Sequence, residues 1–293
     1  MNKNVKQASV VGKRRGRSDF WRRLRHNRLA MFGVAVIALL TMAAVFAPWL
    51  APYSPTAQNL PQRLQPPGPT HLLGTDDFGR DILSRIIHGA RASLLVGFFS
   101  VGAALVGGGF LGMLAGYYGA RLDNLIMRVM DVILALPTIL LAMVIVTALG
   151  PGLFNVMIAV SVSLIPNYAR VVRAAVLTVR EQDFIEAARA SGASDLRIMY
   201  RHILPNSFDP LIVQGALGVA EAILAAASLS FIGLGAQPPT PEWGSMLSSG
   251  RAFLRDAPHV ATFPGLAIML TALALNLFGD GLRDALDPRW RRR

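Results

Sequence analysis

The amino-acid sequence predicts an all-α, polytopic membrane protein with six transmembrane helices. Of its 293 residues, 53% are hydrophobic and 16% are charged, whereas a soluble domain is usually about 45–50% apolar and about 25% charged. The mean hydropathy is +0.45, and the charged residues occur in blocks separated by long neutral runs. Neutral runs of this length are typical of membrane spans. The pattern therefore excludes a large water-soluble core.

Long neutral runs define the six spans. The run from Leu29 to Leu50 can cross a hydrocarbon layer of about 30 Å at about 1.5 Å per residue, and we expect it to be retained because it has no clear small-residue cleavage site. The run from Val132 to Ala169 is too long for one span. Gly150-Pro151-Gly152 divides it, because proline has no amide donor and glycine permits a tight turn. The other spans are predicted between Arg91 and Arg121, from about Leu211 to Leu234, and from about His259 to Phe278.

The Lys and Arg residues are distributed unequally between the two sides of the predicted membrane. Of the 29 basic residues, 23 lie on the side that carries both termini and six on the opposite side. The positive-inside rule therefore predicts that both termini are cytoplasmic. The resulting segments are a basic cytoplasmic tail (1–28), a first span (29–50), an extracytoplasmic segment (51–91), a five-helix core (92–283) with a cytoplasmic loop (170–208), and a cytoplasmic tail (284–293).

The extracytoplasmic segment is predicted to contain an interfacial helix. Thr75 is a candidate N-cap, and Asp76 and Asp77 suit the positive end of a helix. Apolar residues then recur on one face, which favours a helix lying along the outer membrane surface. Capping and pairing with Arg80 and Arg85 is the favoured role of the carboxylates, and a divalent-cation site is the alternative.

Two further features concern packing and charge inside the spans. Gly108, Gly112 and Gly116 form a stripe that lets a neighbouring helix approach closely. Charged residues are costly in lipid, so three of them are candidates for pairing inside the bundle or for lining a pore: Arg128 and Asp131, one turn apart and able to pair with each other, and Glu221 in the fifth span.

The loop 170–208 is predicted to be a rigid helix–turn–helix between the fourth and fifth spans. Arg180 to Ser191 contains good helix formers, and Gly192 suits the position after a helix C-terminus. Ser194 is a candidate cap for a second short helix, and Pro205 is expected to end the segment. A structured loop of this kind can receive a push from a soluble partner and pass it to both flanking spans.

Several chemistries are excluded by the sequence. There is no cysteine, no Gly-x4-Gly-Lys-[Ser/Thr] loop and no His-Glu-x-x-His motif, so no nucleotide, catalytic or metal site is predicted in this chain. The basic residues that give the net charge of +12 flank apolar segments, which favours contact with membrane lipid over nucleic acid.

Four motifs in chain order resemble a known family. Glu186-Ala187-Ala188, followed by Gly192 and then Leu204-Pro205, is similar to the EAA loop of bacterial ABC importer permeases. The other motifs look like those of the second permease of dipeptide, oligopeptide and nickel importers. They are Leu73-Gly74-Thr75-Asp76 with Gly79-Arg80-Asp81, the run from Gln237 to Gly244, and the run from Gly279 to Arg289.

This resemblance covers roughly residues 20–290 and implies a type I importer permease fold in a bacterial inner membrane. It also implies a homologous permease, two cytoplasmic ATPases that hydrolyse the ATP, and an extracytoplasmic binding protein. The EAA residues would form the ATPase-coupling loop, and dipeptides or small peptides are the expected solutes. Oligopeptides, nickel and glutathione remain alternatives, as does a membrane-embedded enzyme or scaffold.

Overall fold

The computed structural model describes Arg22 and residues 24–286, and the regular secondary structure of this part is helical apart from one isolated bridge between Thr75 and Asp81. The α-helices are α1 (Arg28–Val45), α2 (Ala47–Leu50), α3 (Ile82–Tyr118), α4 (Ala120–Leu134), α5 (Thr138–Leu149), α6 (Leu153–Arg180), α7 (Asp183–Ala190), α8 (Asp195–Ile198), α9 (Leu204–Asn206), α10 (Phe208–Phe231), α11 (Trp243–Gly250) and α12 (His259–Leu286). A π-helical turn, Met199–Ile203, joins α8 to α9. The basic tail predicted at 1–28 lies mostly outside these residues, as does most of the tail at 284–293.

Five helices of the described chain are long and apolar enough to cross a membrane, and a bent helix pair brings the count to six if the pair is one span. The five are α1, α3, α6, α10 and α12, which match five of the predicted spans. The predicted break also occurs, because α5 ends at Leu149, α6 begins at Leu153, and Gly150 and Gly152 both have positive φ.

The third span differs from the straight helix predicted to start near Val132. Helices α4 and α5 meet at an angle of 88°, and Pro137 immediately precedes α5. Proline has no amide hydrogen and disfavours helical backbone at the residue before it, so the chain turns here. Helix α5 has 12 residues, about 18 Å, which is too short to cross the hydrocarbon layer alone.

Helix α3 also begins differently from the prediction. The prediction placed an N-cap at Thr75 and a separate interfacial helix, but α3 starts at Ile82 and continues without interruption for 37 residues. Asp81 is the N-cap, and its carboxylate accepts a hydrogen bond of 2.8 Å from the Ser84 amide. Thr75 instead donates its hydroxyl to the Gln62 carbonyl, 2.5 Å away. The carboxylate nearest to the apolar run therefore caps the helix.

The glycine stripe packs α3 tightly against α6. A Cβ added at Gly108 would lie 2.6 Å from the Ile165 carbonyl oxygen, and one at Gly112 would overlap the Ala169 carbonyl. The stripe is thus a helix–helix contact, as predicted. A helix of 37 residues is about 55 Å long, so α3 also connects the two ends of the molecule: the segment 51–81 at its start and the loop 170–208 at its end.

Candidate functional site: the loop 170–208 and the spans around it

The loop contains two short helices that project from the ends of α6 and α10. Helix α7 contains Glu186, Ala187 and Ala188, and α8 begins at Asp195. The first helix is shorter than predicted, because α6 ends at Arg180 and α7 begins at Asp183. The helix–turn–helix prediction is confirmed in outline.

Two predicted loop residues differ in detail. Ser194 occupies the N-cap position of α8, but its side chain makes no capping hydrogen bond. Pro205 does not end the helical segment, since Leu204 and Pro205 form the first turn of α9. This placement is physically reasonable because the first amides of a helix have no intrahelical partner, so proline costs nothing there.

Helix α7 presents most of its surface outward. Glu186 and Ala187 are exposed, Ala188 is half-buried, and only Ile185 points into the protein, where it is 1% exposed. Gly192 follows with a φ of 76°, and a Cβ at this position would meet no atom within 4 Å. The constraint on Gly192 is therefore its left-handed backbone and not a lack of space.

A hydrophobic cluster fastens the loop to the helix bundle. Ile185, Ile198 and Ile203, each at most 1% exposed, come from α7, α8 and the π-helical turn. They pack with Met113 and Tyr117 of α3, and the other buried members are Val172, Val176, Val179, Met199 and Leu211. Because burial of aliphatic side chains is worth about 1.5–3 kcal/mol each, the loop is held as a packed element of the bundle.

Polar side chains add links that the sequence analysis did not find. The Tyr117 hydroxyl donates to the Asp195 carboxylate at 2.5 Å, and the Arg180 guanidinium donates to the Gly116 and Tyr117 carbonyls at 3.0 and 3.1 Å. These partners are 63 to 78 residues apart in sequence. No local pattern of charges could have indicated them.

The charged residues near α4 do not pair as predicted. Asp131 accepts from Arg170 of α6 at 2.5 Å, with both side chains about half exposed. Arg128 is exposed and makes no ion pair within the described chain. The sequence spacing favoured an Arg128–Asp131 pair, but Asp131 pairs with Arg170 instead. A second link joins α4 to α6, because Arg173 donates to both oxygens of Asp123 at 2.5 and 2.6 Å.

Glu221 lies near the middle of α10 and is exposed on the surface of this chain. It makes no ion pair with any described residue. The opposite face of α10 packs on α3, where a Cβ at Gly97 would lie 2.7 Å from Ile223. Leu224 and Ser228, one and two turns further along, are exposed on the same side as Glu221. Ion pairing inside this chain, one of the two roles predicted from sequence, is therefore not observed for Glu221 among the described residues.

At the other end of α3, the segment 51–81 is organised by buried charges. Arg80 pairs with Asp76 at 2.6 Å and lies 3.7 Å from Asp77, while Arg85 lies 3.4 Å from Asp76. The pairing predicted from sequence is confirmed. Within the described residues, no group of three or more His, Asp or Glu side chains is arranged to hold a metal ion.

The second outer motif packs against the same end of α3. Trp243 is fully buried, and its indole donates to the Ile86 carbonyl at 3.0 Å. Glu242 caps α11 by accepting from the Gly244 and Ser245 amides at 2.9 and 2.8 Å. Burial raises the pKa of Glu242, although these hydrogen bonds oppose the shift. Both outer motifs thus build one cap over the start of α3.

Two known protein families match this chain. Residues 108–292 match the family described as binding-protein-dependent transport system inner membrane component. Residues 17–67 match the N-terminal transmembrane domain of oligopeptide transport permease C.

Similar proteins of known name support the same family. The dipeptide transport system permease of Alkalihalophilus pseudofirmus is 51% identical over 92% of this chain and 89% of its own length. The di/tripeptide transport system permease of Pseudomonas aeruginosa is 51% identical over 92% and 91%. The glutathione transport system permease of Escherichia coli is 50% identical over 92% and 90%.

Among solved structures, a chain of the inward-facing MetNI methionine ABC transporter has the same fold. The TM-score is 0.58 at 19% identity, covering 70% of this chain and 98% of that one.

Proposed function

Because this chain belongs to the family of binding-protein-dependent transport system inner membrane components, we propose that it is the permease subunit of an ATP-driven importer of dipeptides and other small peptides. The observation that carries the proposal is its identity of about half, over nine-tenths of its length, to dipeptide and di/tripeptide permeases. The chain is a multi-pass inner-membrane protein and has no ATPase site of its own. We assign both termini and the loop 170–208 to the cytoplasm.

The assembly would contain four kinds of subunit. This permease pairs with a homologous permease to form the translocation path, two cytoplasmic ATPases bind beneath them, and an extracytoplasmic binding protein delivers the solute. The need for separate ATPases follows from the missing phosphate-binding loop. Closure of the ATPases around ATP moves the loop 170–208 and switches the path between inward-facing and outward-facing states.

The exposed face of α7 is the surface that meets the ATPase. Glu186 and Ala187 are exposed on a helix that is itself anchored through Ile185, so a push on this face moves a packed element and not a flexible strand. Gly192, Leu204 and Pro205 shape the turn and the return to α10. The loop therefore has a free surface and a fixed base, which are the two properties that mechanical coupling requires.

Glu221 is assigned to the translocation path. A carboxylate in the middle of a span is costly when it faces lipid, and Glu221 faces outward from this chain without an ion-pair partner among its described residues. An aqueous path between the two permeases is the environment that removes this cost. Arg128 and Asp131 lie at the α4 side of the bundle, where Asp131 pairs with Arg170, and we assign them a structural role.

Small peptides suit the composition of the spans. A path that passes solutes with many different side chains needs walls of small and aliphatic residues, and α3 and α10 supply them. Glutathione is a second candidate because the E. coli relative at 50% identity is named for its transport.

The test is growth of an amino-acid auxotroph that lacks this gene on a dipeptide, a longer peptide or glutathione as the sole source of the required residue. We expect the deletion to abolish growth on the dipeptide and a plasmid copy to restore it. Growth on free amino acids is the control. Unchanged growth on dipeptides, with a defect only on glutathione, would move the assignment to the second candidate.

A further inference from the structure

The end of α3 and the loop 170–208 meet at a polar junction on the edge of the hydrophobic cluster, where Tyr117 is buried and Asp195 is exposed. Tyr117, the penultimate residue of α3, is 6% exposed and belongs to that cluster. Its hydroxyl donates to Asp195, the first residue of α8, at 2.5 Å. The phenol thus joins α3 to α8, the short helix that follows the Gly192 turn.

The backbone of α3 is held at the same place. The last carbonyls of a helix have no intrahelical partner, and at the end of α3 the Gly116 and Tyr117 carbonyls accept from Arg180. A cation is favourable there because it complements the negative end of the helix dipole. Since Arg180 is the last residue of α6, the ends of α3 and α6 are joined just before α7 begins at Asp183.

We propose that Tyr117 is a positioning residue that transmits movement of the loop 170–208 to α3. The chain itself connects the loop only to α6 and α10. Through Tyr117 and Asp195 the loop is also linked to a third span, the 37-residue helix that reaches the opposite end of the molecule. A push on α7 would then move α3, α6 and α10 together, and the outer cap built on the start of α3 would move with them. This inference rests on the proposed function, because it presumes that the ATPases bind and move the loop 170–208.

The test compares two adjacent tyrosines in the complete assembly of both permeases, the ATPases and the binding protein, reconstituted in liposomes. Tyr117→Phe removes the hydroxyl and keeps the buried ring. Tyr118→Phe is the matched control, since Tyr118 is 49% exposed and donates no side-chain hydrogen bond within the described chain. The measured quantity is the number of solute molecules transported per ATP hydrolysed, with assembly yield and thermal stability as readouts of folding.

We expect Tyr117→Phe to lower this ratio about tenfold, the shift that loss of one hydrogen bond to a charged group produces in an equilibrium. Tyr118→Phe should leave the ratio unchanged, and both variants should assemble normally. Asp195→Asn, which keeps an acceptor oxygen, should lose less than Asp195→Ala. A wild-type ratio in Tyr117→Phe would overturn the proposal, because the hydroxyl would then have no part in coupling.

A covalent replacement gives a second, independent measurement. The chain has no cysteine, so, with the other subunits made free of accessible cysteine, a double variant, Tyr117→Cys with Asp195→Cys, can be bridged selectively by a bifunctional thiol reagent of matching length. Without the bridge the ratio should be low, and the bridge should restore it. If the bridged assembly transports no better than the unbridged one, the two sites do not need to stay together and the proposal fails.

The outcome separates this inference from the proposed function. If the wild-type assembly hydrolyses ATP in response to its binding protein but carries no peptide, the substrate assignment is wrong, and the ratio is measured with the solute that is carried. If the wild type carries peptide and Tyr117→Phe does so with equal efficiency, the substrate assignment stands and the role of Tyr117 does not.

Discussion

Gly192 is the residue of the loop 170–208 whose identity is set by backbone conformation alone. Its φ is 76° and no atom lies near the position of a Cβ, so the cost of substitution depends on how well a side chain tolerates left-handed backbone. Asparagine tolerates it, whereas a β-branched residue is strained by about 1–3 kcal/mol. A substitution at Gly192 therefore changes the backbone preference of the turn between α7 and α8 without causing a steric clash.

We expect Gly192→Val to insert into the membrane at a normal level but to bind the ATPases at least about fivefold more weakly, because about 1 kcal/mol of strain is enough for that change. Gly192→Asn should bind them almost normally. Co-purification of the ATPases with each tagged variant measures the effect. Equal retention of the ATPases by Gly192→Val and the wild type would show that this turn does not shape the docking surface.

Asp77 gives a pH-dependent prediction in the outer segment. Burial and the neighbouring Asp76 charge raise the pKa of Asp77, although Arg80 opposes the shift. An acid whose pKa is higher in the folded state destabilises the fold once it is deprotonated. The penalty is absent below the ordinary pKa of about 4 and is complete above the raised pKa.

Asp77→Asn should therefore have the same thermal stability as the wild type near pH 3.5. As the pH rises above about 4, the variant should become increasingly more stable than the wild type. Thermal unfolding of the purified protein in detergent across this range measures the difference. An advantage that is constant with pH, or that shrinks as the pH rises, contradicts the prediction, since the charge of Asp77 would then not be the cause.

At the scale of elements, the contact between α3 and α6 holds the bundle together, and glycine determines how closely the helices approach. Gly108 and Gly112 face carbonyl groups of α6, whereas a Cβ at Gly109, on the same helix, would meet nothing within 4 Å. Backbone atoms cannot move aside as a flexible side chain can. Gly109 lies only one residue from Gly108 and three from Gly112, but it is free of the contact with α6 that they make.

We expect Gly112→Ala to destabilise the protein by about 1–3 kcal/mol through overpacking, seen as a lower thermal midpoint and a lower membrane yield. Gly109→Ala should be neutral or stabilising by up to about 1 kcal/mol, because alanine is the better helix former. If both variants behave alike, the close approach of α3 and α6 is not what limits stability.

At the scale of the whole molecule, the outer cap and the loop 170–208 lie at opposite ends, separated by about the length of α3. The outer cap gathers segments that are distant in sequence, as the hydrogen bond from Trp243 to the Ile86 carbonyl shows. The loop 170–208 gathers at the opposite end, near Tyr117. The apolar spans separate these two ends across the membrane. Labelling engineered cysteines from one side of the membrane therefore tests the orientation.

We expect a single cysteine at residue 195 to be labelled by a membrane-impermeant thiol reagent only after the membrane is opened. A cysteine at residue 56 or 240 should be labelled in intact cells that have lost the outer permeability barrier. The absence of native cysteine makes the background low. Labelling of residue 195 from outside would reverse the proposed orientation.

The sequence alone was enough to determine the class of the protein. Hydrophobic run length, the Gly-Pro-Gly break and the bias of basic residues depend only on neighbouring residues and on the membrane as solvent. The glycine stripe and the pairing of Arg80 with Asp76 also came from short spacings. The run lengths, the break, the glycine stripe and the Arg80–Asp76 pair survive in the structure because nothing distant competes with them, whereas the orientation drawn from the basic residues stays a prediction.

Only the tertiary structure decided the features that depend on competition between partners. Asp81, and not Thr75, caps α3. Asp131 pairs with Arg170 and not with Arg128. Tyr117 donates a hydrogen bond to Asp195, which is 78 residues away in sequence. Glu221 faces outward, because the opposite side of α10 is the one that packs on α3. A charged or polar group pairs with whatever the packed helices bring within hydrogen-bond distance, and helix packing is a property of the whole bundle that no local pattern contains.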